Sequence, residues 1–282
     1  MSVVVTGATG HLGRLIVESL LRRGVPAGRI VALGRDVGRL TDLAEQGVVV
    51  RAADYTDPAS LRTAFAGAEK LMFVSGSEAG QRVPQHRNVI AAAREAGVGL
   101  VVYTSIVHAD TSDLLLAAEH RVTEEELRDS GLPYVLLRNG WYLENYTAQL
   151  PTYLAHGVAG SAGDGRVSAA TRADYAEAAA EVLTTDGHAG RAYELGGEAF
   201  TLTELAAEVS RHSGQQVRYT NLSVPAYTAL LVSAGLPEPY AAVLADADRG
   251  LAQGALYVPV EDLEKLIGRR PTTLAEALRA TR

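Results

Sequence analysis

The 282-residue chain contains no cysteine. Disulfides, thiolate nucleophiles, iron–sulfur clusters and cysteine-ligated zinc are therefore excluded together. No apolar run approaches the ~18 residues that a membrane-spanning helix requires, and Met1-Ser2 leads straight into a short apolar run without a basic leader. From these absences we expect a cytoplasmic protein with no membrane partner.

Lysine is almost as scarce, since only Lys70 and Lys265 occur. None of the twelve tyrosines is followed by lysine four residues later. Carbonyl reduction by a helical tyrosine–lysine pair is thus excluded by composition, as is Schiff-base chemistry. The net charge of −7 comes without a basic stripe, so nucleic acid is not an expected partner. The seven histidines show no metal-ligand spacing, and we predict no metal site.

The chain does contain a regular alternation of short apolar runs and longer amphipathic segments up to residue 140. Strands are predicted at Val3–Thr6, Ile30–Leu33, Val48–Arg51, Lys70–Ser75, Leu100–Thr104 and Tyr134–Arg138. Helices are predicted near 13–23, 37–46, 58–66, 82–96 and 114–129. This order is typical of an α/β fold with a doubly wound parallel sheet, the Rossmann arrangement.

The pattern loosens after residue 140. It predicts a helix over 141–156, a hairpin whose turn is Asp164-Gly165, and a return to the sheet at 192–195 after a helix over 174–183. The remaining prediction is helices at 202–213, 224–234, 238–252 and 259–267, with one strand at 217–222. We therefore expect a dinucleotide-binding domain over 1–198, in which 141–170 contribute to a substrate crevice. A small, mostly helical α/β lobe over 199–282 would complete the protein.

A glycine-rich segment, TGATGHLG, lies between the first strand and the first helix. The first glycine permits a tight turn, the second lets the backbone approach a pyrophosphate, and the third lets the helix pack closely on the strand. Free N–H groups at the helix N-terminus then face the phosphates. The segment predicts a nucleotide site formed by Gly7, Ala8, Thr9, Gly10, His11, Leu12 and Gly13.

The end of the second strand, Gly34-Arg35-Asp36, bears on which nicotinamide cofactor is bound. A guanidinium here can pair with the 2′-phosphate of NADP(H), for which Gly34 leaves room. If Asp36 faced the ribose instead, NAD would be preferred; we favour NADP(H). Asp54, after the third strand, can accept a bond from adenine or cap the following turn. The end of the fourth strand, beside the nicotinamide ribose, carries Ser75, Gly76 and Ser77.

The helix that would carry the missing tyrosine–lysine pair holds His120 and Glu124 one turn apart. The imidazole can exchange a proton near neutral pH, and the carboxylate would raise its pKa. Alternatively, the two form a solvated helical pair. Ser105, at the end of the fifth strand, would place a hydroxyl near the substrate or cap a turn. We take these three residues as candidate catalytic groups.

Aromatic side chains cluster after the sixth strand, where Trp141, Tyr142 and Tyr146 occur within six residues. A flat aromatic surface at the edge of the crevice suits a planar substrate by stacking. The alternative is an ordinary aromatic core. We predict a substrate-binding role for all three.

With these motifs the chain resembles the type-2 NADPH:quinone oxidoreductases, which are NmrA-like atypical short-chain reductases. The resemblance rests on segments 6–13, 78–90, 103–105, 108–112, 137–142, 162–165 and 170–175. It implies that NADP(H) is bound by the glycine turn, Arg35, residues 75–77 and a further loop. That loop consists of Asn139, Gly140, Trp141, Tyr142, Leu143 and Glu144. The resemblance also implies hydride transfer to a small-molecule quinone, with His120 or water as a weak proton donor; Asp36 departs from the asparagine of the family.

Two other functions are compatible with the sequence. An NADP(H)-binding redox sensor would suit the missing catalytic pair equally well, and it would bind the cofactor without oxidising it. A reductase of triphenylmethane-type dyes or imines would share the same motifs. The sequence leaves the oligomeric state open.

Overall fold

A computed structural model describes residues 2–78 and 80–281. The strands of this part of the chain are β1 (Val3–Val5), β2 (Ile30–Gly34), β3 (Val49–Ala52), β4 (Lys70–Phe73), β5 (Leu100–Ile106), β6 (Tyr134–Asn139), β7 (Trp141–Tyr142), β8 (Val158–Gly160), β9 (Val167–Ala170), β10 (Ala192–Leu195), β11 (Ala199–Phe200) and β12 (Tyr219–Asn221). Its α-helices are α1 (His11–Arg22), α2 (Thr41–Glu45), α3 (Pro58–Phe65), α4 (Arg82–Glu95), α5 (Leu115–Asp129), α6 (Glu144–Thr147), α7 (Leu150–His156), α8 (Arg172–Thr184), α9 (Leu202–Ser213), α10 (Val224–Ser233), α11 (Glu238–Ala252), α12 (Glu261–Ile267) and α13 (Leu274–Ala280). No helix within residues 2–78 and 80–281 combines the length and the apolarity needed to cross a membrane.

Seven strands form the main sheet in the order β10–β6–β5–β4–β1–β2–β3. β1 pairs in parallel with β2 and with β4, and the parallel pairing continues to β3 and β5. β1 and β2 are buried along their whole lengths, which accounts for their uninterrupted apolar runs. The predicted doubly wound sheet is confirmed. The strand order reverses between β1 and β4, and a ligand crevice in such a sheet lies beyond the carboxyl ends at that point.

The chain forms two compact units. Unit 1 comprises the chain up to Ser105 together with Glu119–Arg138 and Arg172–Tyr193; unit 2 comprises Ile106–Ala118, Asn139–Thr171 and the chain from Glu194 onward. This division differs from the predicted boundary between residues 198 and 199. The end of β5 and the segment after β6 contribute buried side chains, Ile106 and Leu143 respectively, to the core of unit 2. These segments belong to unit 2 because their side chains pack in its core. The boundary predicted from the sequence instead lies where the alternating pattern ends.

Two predictions for the segment after residue 140 are wrong. Instead of pairing as a hairpin around Asp164-Gly165, β8 pairs in parallel with β12, and β9 pairs with β11 and β7. The helix predicted over 141–156 begins as strand β7 and continues as the two short helices α6 and α7. Proline in the first turn of α7 explains the interruption, because its ring is not compatible with a preceding helical turn.

Candidate functional site

The turn between β1 and α1 has the geometry that its glycines predict. Gly7 adopts a φ of +62°, which favours glycine. A Cβ on Gly13 would lie 2.3 Å from the Gly7 carbonyl oxygen, so only glycine permits this approach of the helix. The first N–H groups of α1 have no intrahelical acceptor, and its first turn carries no acidic side chain. This end of the helix is therefore suited to an anion.

These N–H groups border a cavity of about 420 Å³ within unit 1, at the carboxyl ends of β1 to β4. Its volume is in the range of small-molecule sites. The predicted residues that line it are Gly7, Thr9, Gly10, His11, Leu12, Gly13, Arg35, Asp54, Ser75, Gly76 and Ser77. Ala8 is fully buried beneath the turn. The fold thus brings most of the predicted cofactor residues of unit 1 together at one cavity.

Besides Thr6, five polar residues that line this cavity were not predicted from the sequence as individual ligands. They are Arg39, Tyr55, Glu78, Gln85 and Arg172. Arg39 lies four residues after Arg35. A second cation so soon after Arg35 is the sequence signal that could have identified it. Arg172 begins α8, far along the chain. No local pattern places it at the cavity.

At the end of β2 the structure separates the roles of Arg35 and Asp36. Arg35 lines the cavity and forms an ion pair with Glu78 at 2.9 Å. Asp36 turns to its own backbone, where its carboxylate accepts from the N–H of Gly38 at 3.1 Å and caps a 3₁₀ turn. Of the two, Arg35 lines the cavity, and its contact with a ribose phosphate remains a prediction.

Asp54 both lines the cavity and caps a turn. Its Oδ1 accepts from the backbone N–H and the hydroxyl of Thr56, each at 2.8 Å. These bonds, the backbone one foremost, lower the pKa of the Asp54 carboxyl. The carboxylate is thus a charged acceptor at the cavity wall, and the cap leaves its other oxygen as the one available to a ligand.

Gly34 lines the cavity and also lies against the glycine turn. A Cβ at this position would lie 2.3 Å from Cγ2 of Thr9. The absent side chain therefore makes room for Thr9 of the glycine turn, and its role beside a phosphate group remains a prediction. Glycine is required here because β2 and the turn approach each other so closely.

His120 is buried, with 7% of its surface exposed. Its Nδ1 lies 2.7 Å from the hydroxyl of Tyr103. Burial, and then the charges of Arg82 and His86, hold the pKa of its imidazole well below the usual range. The expectation that Glu124 raises this pKa is wrong, because the helix face that the two share is packed against the sheet and burial dominates.

Glu124 is fully buried and belongs to an ion cluster inside unit 1. One of its oxygens accepts from the Ser105 hydroxyl at 2.6 Å and from Nε of Arg138 at 2.9 Å. The other accepts from Nη2 of Arg138 at 2.6 Å and from Arg128 at 2.9 Å. Both oxygens are occupied by side chains of the protein, as in a structural ion cluster. Catalytic roles for Ser105, His120 and Glu124 remain predictions.

The predicted aromatic loop belongs to unit 2. Trp141 and Tyr142 form β7 beside β9, and Trp141 and Tyr146 pack against the core of unit 2. The Tyr146 ring contacts Phe200 edge-on, with centroids 5.4 Å apart, as expected for an aromatic core. Contacts of Asn139, Gly140, Trp141, Tyr142, Leu143, Glu144 and Tyr146 with cofactor or substrate remain predictions.

One buried atom of this loop has an unused hydrogen-bonding capacity. Asn139 is 5% exposed, and its Oδ1 has no hydrogen-bond partner in the part of the chain that the structure describes. Most buried polar atoms in proteins are paired. An unpaired acceptor is consistent with a donor supplied by a ligand or by water.

Comparisons with known proteins extend over both units. Residues 7–186 match the model of the NAD(P)H-binding family. Quinone oxidoreductase 2 of Escherichia coli (strain K12) is 54% identical over 278 residues, which cover 98% of this chain and 97% of that protein. The crystal structure of an NADPH-dependent quinone oxidoreductase from E. coli complexed with NADPH has a TM-score of 0.96 at 53% identity, with 98% of each chain covered. The Citrobacter sp. triphenylmethane reductase complexed with NADP(H) gives 0.95 at 39% identity, with 100% of each chain covered.

Proposed function

Because this chain belongs to the NAD(P)H-binding family and, within it, to the type-2 quinone oxidoreductases, we propose that it is an oxidoreductase that reduces quinones with NADPH. The observation that carries the proposal is the cavity of unit 1, where the glycine turn and Arg35 line one nucleotide-sized space. The quinone as acceptor rests on the similarity to quinone oxidoreductase 2.

The residues that line the cavity fit NADPH group by group. The N–H groups at the start of α1 would hold the pyrophosphate, since the helix has no acid in its first turn. Arg35 and Arg39 would hold the 2′-phosphate, and Asp54 would accept from the adenine amino group. Ser75 and Ser77 have hydroxyls for the nicotinamide ribose. The close contact of Gly13 with the turn keeps the helix end in place for this task.

Bound NADPH supplies a hydride equivalent, for which a quinone is a good acceptor. The protein's contribution is then to bind, orient and exclude water. A hydroquinone oxygen is a mild base, so proton delivery makes a small demand on the protein. Burial keeps the His120 imidazole neutral, and we therefore assign it the role of a weak donor at most. Its replacement by alanine should reduce turnover by less than about a hundredfold, the lower end of general acid contributions.

The direct test is NADPH oxidation in the presence of a panel of benzoquinones and naphthoquinones, with NADH in parallel. We expect quinone-dependent oxidation that is faster with NADPH. Cofactor binding without oxidation by any quinone would favour the redox sensor instead. A cytoplasmic location remains a prediction, and the oligomeric state is a separate question for light scattering.

A dye reductase is the second candidate, because the triphenylmethane reductase is similar over the full chain, at 39% identity. The same assay with a triphenylmethane dye as acceptor separates the two. Faster turnover of the dye than of every quinone would move the assignment to that activity.

A further inference from the structure

Arg35 already has an anionic partner inside the cavity of unit 1. Its Nη1 lies 2.9 Å from Oε1 of Glu78. Arg35 follows β2 and Glu78 follows β4, and both residues of the ion pair line the cavity. A phosphate that bound this guanidinium edge would lie within a few ångströms of the carboxylate, and two anions at that distance repel each other.

The carboxylate of Glu78 is held by the fold. Gln85 of α4 is 93% buried, since only 7% of its surface is exposed. Its Nε2 donates to Oε2 of Glu78 at 2.9 Å. One carboxylate oxygen is thus anchored by a buried amide while the other faces Arg35. The side chains of Arg35 and Glu78 are 70% and 46% exposed, so the ion pair has the strength of a surface pair, while the bond from Gln85 fixes the position of the carboxylate.

We propose that Glu78 is a specificity-determining residue for the cofactor: it occupies the 2′-phosphate subsite on Arg35 and must be displaced by NADPH. This inference rests on the proposed NADPH-dependent function. NADH has a 2′-hydroxyl at this position, which can donate to the carboxylate without displacing it. Glu78 therefore narrows the preference for NADPH over NADH that Arg35 establishes.

The test uses Glu78→Gln, which removes the charge and keeps an oxygen for the bond from Gln85. Calorimetric titrations with NADPH, NADH and adenosine 2′,5′-bisphosphate, at one ionic strength, give the three affinities. We expect NADPH and the bisphosphate to bind about threefold more tightly, the scale of an exposed ion pair. NADH binding should be unchanged or weaker. Unchanged or weaker NADPH binding would overturn the proposal, because Glu78 would then not compete with the phosphate.

Glu198→Gln is the matched control. Glu198 pairs with Arg270 at 2.7 Å in unit 2, and both side chains are exposed. Glu198→Gln changes the net charge by the same amount as Glu78→Gln, so we expect no change in any of the three affinities. If the wild-type protein binds no NADPH, the proposed function and this inference both fail. If it binds NADPH and Glu78→Gln does not tighten binding, this inference alone fails.

Discussion

Two sets of polar groups in unit 1 are similar in residue type but differ in whether they have hydrogen-bond partners within the protein. Around the cavity, the helix end at the start of α1 and Arg39 line open space. Around Glu124, the hydroxyl of Ser105 and two guanidinium groups all point at one buried carboxylate. The first set has hydrogen-bonding capacity to spare for a ligand and the second has used its own. This difference in satisfaction, more than residue type, separates a binding site from a structural cluster.

The largest expected effect tests the structural side of this comparison. Glu124→Ala removes the buried carboxylate that pairs with the guanidinium of Arg138, which should lower the free energy of unfolding by about 3–5 kcal/mol. Urea unfolding measures the change. Glu126→Ala, on the same helix, removes an ion pair with the largely exposed Arg87 and should cost less than about 1 kcal/mol. Full stability of Glu124→Ala combined with lost activity would instead make the cluster catalytic.

The next effect tests the binding side. Gly13→Ala places a Cβ 2.3 Å from the Gly7 carbonyl oxygen. Such overpacking costs about 1–3 kcal/mol, and moving α1 away from the turn should weaken NADPH binding by about tenfold or more. Gly28→Ala is the control, since a Cβ there meets nothing within 4 Å. Equal NADPH affinity of the two variants would mean that the glycine turn does not form the site.

A pH-dependent effect comes from the buried histidines near Glu124. Burial lowers the pKa of His86 to about 3, and that of His120 well below its usual value. Below about pH 6.5 these two imidazoles take up protons in the unfolded chain but not in the folded chain. The free energy of unfolding is therefore highest above about pH 6.5 and decreases as the pH falls toward about 3. Each histidine contributes a slope of about 1.4 kcal/mol per pH unit.

His120→Asn should therefore reduce the acid dependence of the unfolding free energy, measured by urea unfolding from pH 4 to 7. His156→Asn, at an exposed position of α7, should leave it as in the wild type. Identical slopes for wild type and His120→Asn would mean that the His120 imidazole is charged in the folded protein.

Local sequence patterns predicted the part of the site whose residues are contiguous in the chain. The glycine turn is one continuous segment, and strands such as β1 and β2 are buried apolar runs whose ends can be read directly. The partners of Glu124 are not local: Ser105 and Arg138 lie 19 and 14 residues away along the chain. Its spacing from His120 suggested a catalytic pair because packing against the sheet has no signature in a single helix.

The failures after residue 140 have the same cause. Asp164-Gly165 is a favoured hairpin turn, yet β8 pairs with the distant β12. Arg172 begins α8 and lines the cavity only because the folded chain brings that helix there. One missed element did have a local pattern, since α13 begins with a capping box formed by Thr273 and Glu276.

The most direct test of the account is the binding of NADP⁺ and NAD⁺ to the wild type and to Arg35→Ala, measured by calorimetry. If the cavity of unit 1 is the NADPH site with Arg35 at the 2′-phosphate, the wild type prefers NADP⁺. Arg35→Ala then loses about tenfold in NADP⁺ affinity, the scale of a bond to a charged group, while NAD⁺ binding stays nearly constant. Unchanged NADP⁺ affinity in Arg35→Ala would contradict it.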